Sequence, residues 1–192
     1  MLVQGYVDGP STIRIVDATA NVNGWEHDMS QDIQTALAAG GLVSERVCAD
    51  SLKDFSNACT RDSGKYNSLV IICHGGIKDD PDAALIRIGK DPVTSYELLK
   101  EYFDGAIADK IVILAVCEGS NVDSAWSFFN IGEGSPLFLI ASRCKLSKGE
   151  ATSFIPAFLT EFSNNSPIDR TCVEGALKKH NIYTHDKMEL HP

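Results

Sequence analysis

Apolar residues in this chain fall into short unbroken runs, separated by longer stretches whose apolar positions recur every three or four residues. Two runs stand out: Ser68–Gly76 (Ser-Leu-Val-Ile-Ile-Cys-His-Gly-Gly) and Lys110–Gly119 (Lys-Ile-Val-Ile-Leu-Ala-Val-Cys-Glu-Gly). Thr12–Asp17 reads as a first, β-branched strand, Leu42–Cys48 as a weaker one, Pro136–Ser142 as a further buried one, and Ala84–Ile88 as a short extra strand or hairpin. Unbroken apolar runs, in place of alternation, mark strands buried on both faces, as in a parallel sheet. The periodic stretches read as helices. Ser30–Ala39 carries Ile33, Ala36 and Leu37 on one face and is stopped by Gly40-Gly41. Ser51-Leu-Lys-Asp54 and Thr94-Ser-Tyr-Glu97 have the form of capping boxes, in which a hydroxyl and an acid three residues on satisfy the orphan amides of a first turn. They open helices whose inward faces are Leu52, Phe55 and Cys59, and Leu98, Leu99, Tyr102 and Phe103, respectively. Ile155, Phe158, Leu159 and Phe162 stripe a helix over Thr152–Ser163 with Pro156 in its first turn, and a last helix covers Ile168–Lys179.

Strands alternating with helices predict an α/β fold, a three-layer α/β/α sandwich around a mostly parallel sheet. With 192 residues and a hydrophobic fraction of 44%, one domain spanning residues 1–192 is expected. The 17 basic and 26 acidic residues leave a net charge of −9. Binding to a phosphate backbone draws on clustered Lys and Arg, and no cluster is present, so no direct nucleic-acid partner is expected. No apolar run approaches the ~20 residues that span a bilayer, and the N-terminus lacks the charged and apolar regions of a signal peptide. A cytoplasmic protein without a membrane partner is the expectation. The six cysteines (Cys48, Cys59, Cys73, Cys117, Cys144, Cys172) contain no Cys-x-x-Cys pair and read as free thiols.

Chemistry enters at the ends of the two apolar runs. The first delivers His74 and the second Cys117 to the carboxyl ends of buried strands, where open α/β sheets bind ligands. A thiol is mostly protonated at neutral pH and needs a neighbouring base to become a nucleophile. His74 supplies one. Gly75 and Gly76 let the backbone approach a reacting carbonyl, and their N–H groups, with that of Cys117, are candidate oxyanion donors. Cys73 adjoins His74 but points to the opposite face of its strand and reads as core. His180, His185 and His191 lack partners at metal-ligand spacing and read as a solvated tail; no metal or cofactor is expected. Ser120–Ser135, rich in Ser, Asn and Gly around Trp126, Phe128 and Phe129, reads as a loop or cleavable insert beside the site.

The order apolar block, His-Gly, spacer, apolar block, Cys resembles the caspase-like superfamily of cysteine peptidases. The segments Ile86-Arg-Ile-Gly, Val93-Thr-Ser-Tyr-Glu-Leu-Leu and Ile111-Val-Ile-Leu-Ala-Val-Cys-Glu-Gly-Ser are most similar to its bacterial CHAT branch. The resemblance covers roughly residues 12–180. It implies a caspase-like sandwich and peptide-bond hydrolysis through an acyl-enzyme, with His74 as general base, Cys117 as nucleophile and Gly75 in the oxyanion hole. It also implies a protein or peptide substrate and a separate activator or sensor protein, in a setting such as bacterial defence or programmed cell death. The chain departs from the pattern in two places. Val116 stands where a smaller residue is commoner, and Arg143-Cys-Lys-Leu replaces the Trp-Asp-Val segment associated with a basic P1 residue. Arg143, Lys145 and Asp17 are therefore the candidate substrate contacts. A catalytically inactive interaction module is the alternative. An amidotransferase-like enzyme ranks lower, because there the nucleophile precedes the histidine.

Overall fold

The computed structural model describes residues 12–19, 25–75, 86–93, 103, 105–116, 137–142, 146–162 and 167–190. The apolar runs become the strands of one sheet: β1 (Ile13–Ala18), β2 (Ser44–Cys48), β3 (Ser68–Gly75), β6 (Ile111–Val116) and β7 (Phe138–Ser142). They lie in the order β2-β1-β3-β6-β7, all parallel, and β8 (Met188–Leu190) closes the far edge antiparallel to β7. A hairpin of β4 (Ile86–Ile88) and β5 (Asp91–Val93) hangs from the end of β3.

Helices cover both faces, which makes the molecule a three-layer α/β sandwich. Because β1 to β2 steps one way across the sheet and β2 to β3 steps back, right-handed crossovers must pass over opposite faces. Accordingly α1 (Trp25–Ala39) packs Met29, Ile33 and Leu37 against Ile13, Ile15 and Ile72, while α2 (Leu52–Thr60) packs Phe55, Ala58 and Cys59 against Val16, Leu69 and Ile71. The α1 face is shared by α3 (Lys148–Glu161), whose Phe154, Phe158 and Leu159 are fully buried, and by α4 (Arg170–His180). Phe103 and Ile107 lie on the α2 face, with Phe103 edge-on to Phe55 at 5.5 Å between ring centroids.

Several boundaries differ from expectation. The helix α1 begins at Trp25, ahead of Ser30. The helix α3 begins at Lys148 because Ser147 and Glu150 form a full capping box: Ser147 N donates to Glu150 Oε2 at 2.7 Å and Glu150 N to Ser147 Oγ at 3.3 Å. Pro156 therefore sits inside the helix and not in its first turn. The C-terminal segment is not a solvated tail. His180 is buried beside Glu161 (3.2 Å), and Asn181 clamps β8 by donating to Met188 O at 2.8 Å and accepting from Met188 N at 3.1 Å. His185 is exposed as expected, and His191 lies outside the described residues, as does the helix read from Thr94.

Candidate functional site

Strand order reverses between β1 and β3, so the crevice at their carboxyl ends is the switch point where doubly wound sheets bind ligands. His74 stands there. Its Nε2 lies 3.0 Å from the carbonyl oxygen of Thr19, the residue after β1. A carbonyl only accepts, so Nε2 carries the hydrogen, and in the neutral ring Nδ1 is the basic nitrogen. The carbonyl is itself held. Thr19 donates to Asp17 Oδ1 through its hydroxyl at 2.6 Å and its N–H at 3.3 Å, a turn in which an acid bonds the backbone two residues on. Ser30, from α1, donates to the other oxygen, Oδ2, at 2.6 Å. Asp17, Thr19 and Ser30 are all buried.

The β4–β5 hairpin braces the same edge from the other side. Its first strand pairs Arg87 with His74 and Ile86 with Gly75. Its tip is pinned to the last residue of β1 and to the loop beyond β2: Gly89 N donates to Ala18 O at 2.7 Å, and Lys90 N to Asp50 O at 3.0 Å. Asp91 Oδ2 accepts from Leu52 N at 2.8 Å, which caps α2 together with the N-cap Ser51. Only glycine fits the tip, because φ is +59° at Gly89 and an added Cβ would lie 2.3 Å from the carbonyl carbon of Asp50.

The strands β3 and β6 run in parallel register from Ser68 opposite Ile111 to Cys73 opposite Val116. His74 follows Cys73, and Cys117 follows Val116 in the sequence but lies outside the described residues, as do Gly76, Ser120–Ser135, Arg143, Cys144 and Lys145. Asp17, expected at the substrate, is only 4% exposed and both its oxygens accept hydrogen bonds. Its position is that of a strut beneath the site, because α1 closes over the end of β1 and brings Ser30 onto the carboxylate. Cys73 is core, as expected, and burial pushes its thiol up to about 12. Cys48, Cys59, Cys73 and Cys172 are free thiols. No group of metal-ligating side chains is present among the described residues. Sequence reading missed Thr19, Ser30 and Gly89. The Asp-x-Thr spacing after a strand was a usable sign for Thr19, whereas Ser30 and Gly89 are brought in from distant parts of the chain.

The α2 face holds a second polar cluster, at the amino end of the sheet. Arg14 donates to Ala58 O at 3.0 Å and to Arg61 O, pairs with Glu45 at 2.7 Å and lies 4.5 Å over the ring of Tyr66. Lys110 flanks that ring at 4.7 Å and donates to Ser63 O and Tyr66 O. These cations satisfy carbonyls around the C-terminus of α2 and the turn beyond it, and complement the negative end of the helix. The cluster is structural and shares no residue with the His74 edge.

No family model matches the chain, and no curated protein matches it. Among solved structures, a flavodoxin-like domain from Synechococcus sp is similar, at 13% identity and a TM-score of 0.39 over 91% of this chain and 99% of that one. A likeness at that level carries nothing about chemistry. The caspase-like resemblance is corrected by the first two of these findings: no family model and no curated protein supports it. The reason is physical. A buried parallel strand ending in a polar residue and glycine is what any doubly wound sheet produces at its carboxyl edge, so such runs report the sandwich and not one family within it.

Proposed function

We propose that the protein is a cysteine-type endopeptidase in which Cys117 is the nucleophile and His74 its base. One observation carries the reading: the β3–β6 register ends at Cys73 opposite Val116, and the chain continues into His74 on one strand and into Cys117 after the other. The Thr19 carbonyl, which assigns the hydrogen to Nε2, supports it by leaving Nδ1 as the basic nitrogen. In this mechanism the Cys117 thiol passes its proton to Nδ1 and the sulfur attacks the peptide carbonyl carbon. The oxyanion is met by the N–H groups of Gly75 and Cys117. Collapse breaks the C–N bond, and the imidazolium returns its proton to the departing amine. Water, deprotonated by the same ring, then cleaves the thioester and regenerates the thiol. The proposal extends to a cytoplasmic setting, protein or peptide substrates and a separate activator, and supplies no cofactor. Among the described residues no helix is long and apolar enough to cross a membrane.

The test is digestion of a diverse peptide library, read by mass spectrometry, with wild type, Cys117→Ala and His74→Ala. Each substitution is expected to lower cleavage by at least about a thousandfold while the thermal unfolding transition stays cooperative. Cleavage by Cys117→Ala at the wild-type rate overturns the proposal. Absence of any selective Cys117 labelling by a thiol-directed probe, in a Cys48→Ser, Cys172→Ser background, favours the non-catalytic module instead.

A further inference from the structure

The carboxylate of Asp17 sits at the centre of a buried network that ends on His74. Among the described residues its two oxygens accept from Thr19, through Oγ1 at 2.6 Å and N at 3.3 Å, and from Ser30 Oγ at 2.6 Å. Thr19 is the residue whose carbonyl accepts from His74 Nε2 at 3.0 Å. Thr19 is 3% exposed and Asp17 4%. A buried carboxylate is retained only where donors satisfy it, and here those donors come from the turn after β1 and from α1. The Thr19 carbonyl is thereby fixed in direction. A second face of the turn is fixed by Gly89 N donating to the adjacent Ala18 carbonyl at 2.7 Å.

We infer that Asp17 is a positioning residue: by holding the Thr19 turn against α1 it aims the Thr19 carbonyl at His74 and so sets the tautomer and ring orientation of that histidine. The inference takes His74 to be the working base, as proposed above, but its structural content does not depend on turnover. Alanine at position 17 removes the carboxylate that these donors meet, and the Thr19 carbonyl is then no longer held toward the ring. Asparagine keeps an oxygen for Thr19 and turns its amide to the Ser30 hydroxyl, which then accepts. A role in orientation therefore predicts that Asn restores what Ala loses, whereas a role in binding a basic substrate predicts that it does not.

The experiment reads the ring nitrogens of His74 by nitrogen-15 NMR at a pH where the ring is neutral, with His74→Gln to assign the signals. Wild type is expected to show one tautomer, hydrogen on Nε2. In Asp17→Ala a mixture of tautomers is expected, with kcat on a peptide substrate falling by about tenfold to a hundredfold at little change in KM. Asp17→Asn is expected to restore the single tautomer and most of kcat. If Asp17→Ala does not fold, Thr19→Val, which deletes the bond from Thr19 Oγ1, is expected to show the same tautomer mixture and Thr19→Ser the wild-type spectrum. A His74 spectrum unchanged in folded Asp17→Ala or Thr19→Val overturns the inference, as does Asn behaving like Ala. A wild type that turns over nothing, while Asp17→Ala still shows the tautomer mixture and Asp17→Asn the single tautomer, defeats the peptidase reading and leaves the positioning role standing.

Discussion

At the scale of single residues, the candidate site depends on groups that would be unremarkable elsewhere. Gly89 is one. Its φ is positive, and a Cβ added there would lie 2.3 Å from the Asp50 carbonyl carbon, which leaves no room for a side chain. Gly89→Ala is expected to destabilise the fold by about 1–3 kcal/mol, measured by urea unfolding. It is also expected to raise amide hydrogen exchange at His74 and Gly75, because the hairpin that pairs with them loses its anchor. Asp17 is another: read along the chain it is an acid at a strand end, available to a substrate. In the fold it is enclosed by Thr19 and Ser30. The difference arises because α1 begins at Trp25, earlier than its apolar stripe suggests, which carries Ser30 over the end of β1.

Elements were read correctly where local signals coincide and incorrectly where they do not. Ser51 caps α2 as its spacing from Asp54 foretells, since a capping interaction spans only one turn. The apolar stripe from Ile155 places the start of α3 at Thr152, whereas the capping box of Ser147 and Glu150 starts it at Lys148. Between α3 and α4, Glu161 accepts from Lys179 at 2.7 Å and lies 3.2 Å from His180. Hydrogen bonds from Lys179, then from His180, hold the Glu161 carboxyl below its ordinary 4.5. A carboxyl depressed in the folded state contributes stability that is present above its unfolded value and lost as pH falls through the folded one. Glu161→Gln is therefore expected to lower stability at neutral pH by no more than about 1 kcal/mol. That difference should vanish in urea titrations run well below pH ~4.

For the whole molecule, the layered architecture sorts the thiols. Cys59 and Cys73 belong to the core on the α2 face, and burial raises both thiols, while Cys48 and Cys172 are exposed. Native protein treated with a maleimide is expected to modify Cys48 and Cys172 rapidly, and Cys59 and Cys73 only after unfolding, as read by peptide mapping. Rapid native labelling of Cys73 would contradict the packing of β3 against α2. The buried parallel strands, the capped helix α2 and the histidine at a strand end follow from the sequence alone, since periodicity, capping and chain breaks act over a few residues. Tertiary structure alone decided that β3 lies between β1 and β6, that Ser30 reaches Asp17 and His74 reaches the Thr19 carbonyl, that the hairpin locks at Gly89 and that β8 completes the sheet. Each of these joins residues far apart in the chain. Their energies exist only once the layers have packed, and no local pattern of side chains encodes them.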